Sequence, residues 1–358
     1  MSEHIQHPGK VLVAMSGGVD SSVSAALLLE QGYTVIGVTL RFLPGDQGDA
    51  VEVAAQKAAH ELGIELHVED CHVEFERRVI QPFCDAYLHG STPNPCVECN
   101  REFKFGFLLR FAHELGCDFL ATGHYAKIIP TSEGVLLARG ADSAKDQSYF
   151  MFCIADMDLT RVLFPLGEMN KEQVRSAAQR FGLSAQSSSE SQDICFVPDN
   201  DYKGLVQNRG GDSQSHSVHS DIQPGEIVHV DGTVLGQHRG VHAYTVGQRR
   251  GLGVAWHEPL YVVRLDAQHK QVVVGEKEYL YQERIRVSHV VWGVNVSEVD
   301  MLKVGCQIRY RQQPVDAVVS PCGSDAFVTF DAPQGGISPG QAAVFYRGET
   351  VLGGGWIC

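Results

Sequence analysis

The chain has 358 residues, which at about 150 residues per domain predicts two or three domains. Hydrophobic residues make up 44% and charged residues 20%, an ordinary globular composition with enough sequence to bury a core. The net charge of −14 argues against a protein that coats nucleic acid nonspecifically. Residues 101–150 balance six basic against six acidic side chains, so a local basic surface remains possible there.

The sequence shows no sign of a membrane segment or of a disulfide framework. No apolar run approaches the roughly 18 residues of a membrane span, and the first ten residues lack the apolar segment of a secretory signal. The ten cysteines are irregularly spaced. We expect a cytoplasmic protein in which most cysteines are buried small hydrophobic residues and one or two are reactive.

Strands and helices alternate through the first part of the chain. Strands are predicted over 10–15, 33–40, 64–70 and 118–123, and helices over 20–31, 50–63, 72–88 and 101–115. This alternation predicts an α/β fold with a doubly wound, Rossmann-like parallel sheet. A hairpin is predicted over 126–139, followed by helical segments over 146–160 and 170–181.

The second half of the chain has a different character. Residues 208–221 are polar and read as a linker, and beyond 222 short β-branched runs are separated by Gly and Pro. We therefore expect a catalytic domain over 1–207, a linker with a small β-rich domain over 208–280, and a β-barrel over 281–358.

The most informative motif follows the first strand and opens the first helix: Ser16-Gly17-Gly18-Val19-Asp20-Ser21-Ser22. Two glycines let the backbone approach a phosphate, and free N–H groups at a helix start attract anions. The motif lacks the Gly-Lys-Ser/Thr of a Walker A loop. A simple capped turn is the alternative, but the whole heptad at the first strand–helix turn favours a phosphate-binding loop.

A second motif, at 90–100, contains Cys96 and Cys99 behind two prolines. Three interpretations compete: half of a zinc site, a redox pair, or one catalytic thiol, Cys99, with an incidental neighbour. We expect a helix to begin near Cys99, which would lower the pKa of its thiol. A third motif, at 191–196, carries Cys195 after a polar Ser-Gln-Asp and could be either a buried strand cysteine or a loop entering a site.

The glycine motif resembles the PP-loop of the N-type ATP pyrophosphatases, and the chain as a whole resembles the bacterial-type tRNA-specific 2-thiouridylases. Further matching segments extend the resemblance to nearly the whole chain, in the same order: 121–125 (ATGHY), 145–149 (KDQSY), 164–167 (FPLG), 245–249 (TVGQR), 309–310 (RY) and 340–346 (GQAAVFY).

The resemblance implies an ATP-dependent 2-thiolation of the wobble uridine in tRNA anticodons. Adenylation would convert the C2 oxygen into a leaving group, releasing pyrophosphate and then AMP, with Mg²⁺ assisting. The sulfur would arrive from a sulfur-relay donor protein as a persulfide on Cys195, with Cys99 as the nucleophile. The terminal sulfur would either attack C2 directly or first be released by Cys99 as hydrosulfide. Both routes form a Cys99–Cys195 disulfide, which a reductant must reopen. We expect a monomer.

The resemblance also assigns binding residues. Asp20 joins the catalytic set, and the ATP contacts would be Ala14, Met15, Ser16, Gly17, Gly18, Val19, Asp20, Ser21, Leu40 and Gly123. The tRNA contacts would be Asn94, Pro95, Cys96, His124, Lys145, Asp146, Gln147, Arg309, Tyr310 and Gln341. By residue type alone Leu40 would be a core residue, whereas Gly123 ends a predicted strand, where ligands bind in open α/β sheets.

The chain departs from the family at one position. Some members have Asp where this sequence has Cys96, and a thiol replaces a carboxylate poorly in acid–base work. Two other classes of function compete: a PP-loop amidotransferase-type synthetase, which would not need Cys99 and Cys195, and a noncatalytic RNA-binding module, which would bind tRNA without forming AMP.

Overall fold

A computed structural model describes residues 8–184, 194–209, 222–297 and 300–358. The strands of the first half are β1 (Lys10–Ala14), β2 (Thr34–Arg41), β3 (Glu65–Asp70), β4 (Phe119–Ala121), β5 (Ala126–Thr131), β6 (Gly134–Arg139) and β7 (Val162–Leu163). The helices are α1 (Val19–Glu30), α2 (Gly45–Leu62), α3 (His72–Phe75), α4 (Gln81–Leu88), α5 (Pro95–Cys99), α6 (Leu108–Glu114), α7 (Ser148–Met151), α8 (Lys171–Arg180) and α9 (Tyr202–Arg209).

The predicted parallel sheet is confirmed. Its five strands run in the order β3-β2-β1-β4-β7, and all its pairings are parallel. Two of the central strands, β1 and β2, are rich in β-branched apolar residues, and Val11, Leu12 and Val13 are fully buried. Strands covered on both faces by helices need such continuous apolar runs. The sheet thus brings the carboxyl ends of β1, β2 and β4 to one edge.

The helical segments expected over 146–160 are present, but they are short. The segment contains only α7, short 3₁₀ turns at Phe152–Ile154 and Leu159–Arg161, and then the fifth parallel strand, β7. Tyr149, Met151, Phe152, Cys153 and Ile154 are all buried. The segment is enclosed on all sides rather than along one face. Its apolar residues therefore do not mark the face or the length of a single helix.

Two predicted helices contain π-helical segments. Glu76–Ile80 separates α3 from α4, and Asn100–Phe107 separates α5 from α6. The second helical stretch begins at Pro95, earlier than the predicted residue 101. Proline at the first helical position lacks only an N–H that would be unpaired anyway, so it starts the helix instead of preventing it.

The second half of the chain is all β, as predicted. Its strands are β8 (Gly225–His229), β9 (Val234–His238), β10 (Tyr261–Asp266), β11 (Gln271–Gly275), β12 (Tyr281–Trp292), β13 (Leu302–Gln307), β14 (Val315–Cys322), β15 (Asp325–Gly335), β16 (Ala342–Arg347) and β17 (Thr350–Ile357). The sheet β10-β11-β8-β9 forms a small module with its own core around Ile227, Val262, Val272 and Val274. No helix of the described residues is long and apolar enough to cross a membrane.

The expected barrel is present, and it is joined to the first domain. Six strands run β12-β15-β14-β13-β16-β17, and a β12–β17 pairing closes the ring. The hairpin β5–β6, predicted over 126–139, extends this sheet through the pair Ala138 and Thr350. One apolar core also runs from Leu12 and Phe75 to Val344 and Tyr346, so the barrel packs firmly on the α/β domain.

The barrel also holds the loop that leads into α5. The Thr92 N–H donates to the Pro339 carbonyl at 2.8 Å, and the Gln341 side-chain amide donates to the Thr92 carbonyl at 2.9 Å. Gly340 has φ +87°, and a Cβ there would lie 3.1 Å from the Thr92 carbonyl oxygen. The barrel therefore positions the segment that carries Cys96 and Cys99.

Replacing Gly340 by alanine tests this contact. We expect Gly340→Ala to lower the free energy of unfolding by about 1–3 kcal/mol, because it adds a close contact to a left-handed backbone. Gly348→Ala is the matched control, since Gly348 has φ +59° but open space around its Cβ position. Urea unfolding measures both, and equal losses would show that the Thr92 contact contributes nothing.

Candidate active site

The glycine turn, residues 16–18, joins β1 to α1 at the carboxyl edge of the sheet. Gly17 has φ +72°, and a Cβ there would lie 2.4 Å from the Ala54 Cβ, so no other residue fits. Gly18 caps α1 without a side-chain hydrogen bond. The first N–H groups of α1 are therefore not occupied by a capping side chain, which is the arrangement of an anion-binding helix start.

Serine side chains hold the turn in shape. The Ser16 N–H donates to the Ser21 hydroxyl oxygen at 3.2 Å, and the hydroxyls of Ser21 and Ser22 donate to the Gly18 carbonyl at 3.1 and 2.9 Å. Ser16 itself is exposed. The turn thus keeps its conformation through its own hydrogen bonds and presents Ser16 at the surface.

The Asp20 carboxylate is held by two residues from distant elements. The Lys171 ammonium, on α8, lies 2.8 and 2.9 Å from its two oxygens, and the Tyr125 hydroxyl donates to it at 2.8 Å. No sequence pattern singles out Lys171, which is an ordinary polar residue at the start of a predicted helix. Only the packing of α8 against α1 brings this cation to the glycine turn.

Gly123 packs directly on the same turn. A Cβ at Gly123 would lie 2.9 Å from the Asp20 carbonyl carbon and 2.9 Å from the Ser21 nitrogen. Of the other expected ATP contacts, Met15 and Leu40 are buried in the core, and the Met15 N–H donates to Val38 at 2.7 Å. Val19 is also buried, and Ala14 is half-buried at the end of β1.

The thiols of the second and third motifs lie near one another. Cys99 is buried at the end of α5, whereas Cys195 is exposed. The residues on either side of Cys195, Ile194 and Phe196, pack in the same apolar cluster as Cys99. Desolvation first, and the neighbouring Cys96 in addition, raise the pKa of Cys195. All three are free thiols. The structure therefore brings together two cysteines that are 96 residues apart in sequence.

The expected low pKa of Cys99 is wrong. Cys99 ends α5 instead of beginning it, and burial raises the pKa of its thiol to about 12. Desolvation also raises the pKa of Cys195 and Cys96, while the Lys104 ammonium acts in the opposite direction on all three thiols. In a low-dielectric site the neutral thiol is favoured, so these sulfurs are mostly protonated at neutral pH.

His124 lies beside the contact between Gly123 and the glycine turn. It follows Gly123, it is buried, and its Nδ1 lies 2.8 Å from the Thr122 hydroxyl. Burial first, and the Lys104 charge second, hold the pKa of His124 well below its usual range, so the ring is neutral. Gly123 thus contacts the glycine turn, and the Lys104 charge acts both on the neighbouring His124 and on the thiol of Cys99.

The other expected tRNA contacts divide into buried and surface groups. Asn94 is buried, Cys96 is half-buried, and Pro95 opens α5. Asp146 is buried and accepts hydrogen bonds from the Gly140 N–H at 3.0 Å and from Ser148 at 2.9 Å. The Asp146 carboxylate thus stabilises its own loop.

Within the described residues no group of three or more His, Cys, Asp or Glu side chains could hold a metal ion, so the zinc interpretation gains no further ligand there.

The remaining expected contacts line the interface with the barrel. Gln147 accepts from the Tyr125 N–H at 2.9 Å, and Lys145 lies two residues before it at the same loop. The Tyr310 ring lies 4.5 Å from Phe150, next to Arg309. Gln341 contacts Thr92 as described above. Residues 191–193 of the third motif and 210–221 of the expected linker lie outside the described residues.

Comparison with known proteins gives a consistent picture. Residues 9–199 match the family "tRNA methyl transferase HUP domain", 217–276 its PRC-barrel domain, and 282–357 the "Aminomethyltransferase beta-barrel domain". The chain is 52% identical to the tRNA-specific 2-thiouridylase MnmA of Syntrophotalea carbinolica, over 100% of both chains. It is 47% identical to MnmA of Geobacter metallireducens, over 97% of this chain and 96% of that one.

One solved structure is a weaker match. A 4-thiouridine synthetase–RNA complex with bound ATP is 17% identical, with a TM-score of 0.39 over 56% of this chain and 50% of that chain. This similarity is too low to support an argument about function.

The ion pair at the glycine turn can be measured by a double-mutant cycle. We expect Lys171→Met to lower the free energy of unfolding by about 1–3 kcal/mol. This loss is smaller than the loss on breaking a fully buried ion pair, because Asp20 is 34% exposed. Lys171→Met with Asp20→Asn should cost less than the sum of the single variants. Lys127→Met, which removes a longer ion pair to the exposed Glu168, is the control. Additive losses would contradict direct coupling.

The raised pKa of Cys99 predicts slow alkylation. In the wild-type protein at pH 7.5 we expect Cys99 to react with iodoacetamide at least about 100-fold more slowly than the exposed Cys322, because little thiolate is present. The Cys99 rate should still be rising with pH at pH 10. Peptide mass spectrometry gives both rates, and a Cys99 rate that levels off below pH 9 would contradict the assignment.

Proposed function

Because this chain belongs to the family of tRNA-specific 2-thiouridylases, we propose that it replaces the C2 oxygen of the wobble uridine in tRNA by sulfur. The observation that supports the proposal is that one chain combines an uncapped glycine turn, closed by the Gly123 contact, with the Cys99 and Cys195 segments packed in one apolar cluster. This reaction needs both an adenylation site and a sulfur-transfer site.

Activation uses the glycine turn. The uncapped N–H groups of α1 bind the pyrophosphate end of ATP, with Ala14, Leu40 and Gly123 around the nucleotide. The C2 oxygen of uridine attacks the α-phosphorus, pyrophosphate leaves, and the base becomes an adenylate. Mg²⁺ in nucleotide sites is usually held by one or two carboxylates and by the phosphates. Asp20 is the carboxylate on this turn, and to hold the ion it would exchange a contact with the Lys171 ammonium, which lies 2.8 and 2.9 Å from its two oxygens.

Sulfur transfer uses the two thiols. Cys195 carries the terminal sulfur as a persulfide received from a relay protein. In one route this terminal sulfur attacks C2 and expels AMP. The Cys99 thiolate then attacks the inner sulfur, Cys195 Sγ, the S–S bond breaks, and the transferred sulfur leaves on C2 as 2-thiouridine. In the other, Cys99 attacks first and releases hydrosulfide, which attacks C2. Both routes form the Cys99–Cys195 disulfide, and an external thiol reductant restores the thiols.

The rest of the chain positions the RNA. We assign residues 1–207 to catalysis, 208–280 to a small β domain and 281–358 to the barrel. Lys145 and Arg309 are suited to phosphate contacts, and Tyr310 to stacking on a splayed anticodon base. Asn94, Pro95 and Cys96 lie at the start of α5, next to Cys99, and receive the flipped uridine. His124, Asp146, Gln147 and Gln341 act from within the protein by holding these loops.

The test is a reconstitution with unmodified tRNA, ATP, Mg²⁺ and a persulfide source. We expect 2-thiouridine in the tRNA, detected by nucleoside mass spectrometry, with AMP and pyrophosphate released in step. Cys195→Ala and Cys99→Ala should each reduce 2-thiouridine at least about 100-fold. Asp20→Ala should reduce AMP release while tRNA binding is mostly kept.

A matched control and two outcomes decide between functions. Cys322→Ala removes an exposed thiol at the far end of the barrel strand β14 and should retain full activity. Full thiolation by Cys195→Ala would contradict the sulfur-carrier role and favour an amidotransferase-type enzyme. Binding of tRNA without AMP formation would indicate an RNA-binding module instead.

A further inference from the structure

Lys104 is a cation without a protein partner in an enclosed part of the site. It is half-buried on the π-helical segment Asn100–Phe107, and among the described residues its ammonium makes no hydrogen bond or salt bridge. A lysine in such a position loses hydration without gaining a carboxylate. Its neighbours are instead neutral groups that can become anions, namely the thiols of Cys96, Cys99 and Cys195.

The π-helical segment explains how Lys104 comes to face the thiols. In an α-helix of about 3.6 residues per turn, the fifth residue after Cys99 would lie about 140° around the axis. The wider π turn, which pairs residue i with residue i+5, brings that residue close to the same face. The π segment begins immediately after Cys99, so Cys99 and Lys104 share one side of the helix. Widened turns of this kind are frequent at functional sites.

Among the described residues, the charged and titratable groups that act on these sulfurs include one ammonium, from Lys104, and neighbouring thiols. Cys99 is influenced by Lys104, Cys195, Cys96 and Cys71, and Cys195 by Lys104 and Cys96. His124 is also within reach of Lys104 and is neutral. Lys104 is therefore the one side chain, among the described residues named for these thiols, that favours their anionic forms.

We propose that Lys104 is a positioning residue for sulfur anions, whose ammonium stabilises the thiolate and persulfide forms of Cys195 and the thiolate of Cys99. The inference rests on the proposed function, since it supplies the anion that a sulfur transfer requires. Burial suppresses ionisation of the Cys99 thiol, desolvation acts in the same direction on the exposed Cys195, and a fixed positive charge offsets that penalty locally. The same cation would attract a small anionic sulfur donor such as hydrosulfide to the pocket.

The test measures thiol ionisation in the free protein, without tRNA, ATP or sulfur donor. The pH dependence of iodoacetamide alkylation is followed at Cys195 by peptide mass spectrometry, with Cys322 in the same molecule as the reference rate. We expect Lys104→Met to slow Cys195 alkylation about tenfold at pH 8 and to move its pH profile upward by about one unit. Lys104→Arg, which keeps the charge, should stay within about twofold of the wild type.

Two controls keep the proposal falsifiable. Lys57→Met removes the same charge from the exposed face of α2 and should leave the Cys195 profile unchanged. If Lys104→Met fails to fold by circular dichroism, Lys104→Gln replaces it. A second measurement compares the alkylation rates with anionic iodoacetate and neutral iodoacetamide. In the wild type, the ratio of these two rates at Cys195 should exceed the ratio for free 2-mercaptoethanol, despite the net charge of −14.

The outcomes separate this proposal from the proposed function. An unchanged Cys195 profile in the neutral variants would overturn the role of Lys104 even if thiolation is observed. A shifted profile would support that role even if reconstitution gives no 2-thiouridine, in which case the thiolation proposal alone would fail.

Discussion

The contact between Gly123 and the start of α1 is the constraint that makes one site out of the glycine turn and the end of β4. Backbone atoms of Asp20 and Ser21 occupy the space that any larger side chain at 123 would need. Gly123 thereby holds the end of β4 against the glycine turn, and the next residue, His124, is buried beside it. Parallel strands place their carboxyl ends at one edge, and this close packing joins the end of β4 to the start of α1.

Burial determines the chemical state of the thiols and of His124. A low-dielectric environment disfavours charge, and it keeps both the thiols and His124 in their neutral forms. Neutral thiols are protected from adventitious oxidation and alkylation, since the thiolate is the reactive form. A transfer reaction nevertheless needs an anionic sulfur at the moment of attack. The position of Lys104, on a helix widened at that point, offers a physical means of meeting both requirements.

The barrel contributes to the site although it carries none of the thiols. Its loop at 338–341 pairs with Thr92, and its strand β16 presents Tyr346 to Ser148 in the core. The hairpin β5–β6 leaves the α/β domain and completes the barrel sheet. The loop before α5 and the segment after Lys145 are thus held from both sides, so the geometry at Cys96 and Cys99 depends on the intact chain.

The sequence alone determined the elements whose signals are local. The alternation of apolar strands with helices, the glycine turn after β1 and the change to short strands beyond 222 each follow from periodicity or turn chemistry, and all were predicted correctly. Helical segments over 146–160 were predicted, but strand β7 was missed because its burial comes from neighbours distant in sequence. The helix carrying Cys99 was placed too late, because the widened turn and the proline start leave no helical periodicity to read.

For the site, the sequence by itself identified the residue types and the family, and thereby the candidate turn and thiols. Only the tertiary structure decided that Lys171 faces Asp20, that Lys104 faces the thiols, and that Asp146 is buried. It also reversed the expected pKa of Cys99. The physical reason is the same in each case: charge and burial depend on what the fold brings within a few ångströms, and sequence spacing carries no information about residues that are tens of positions apart.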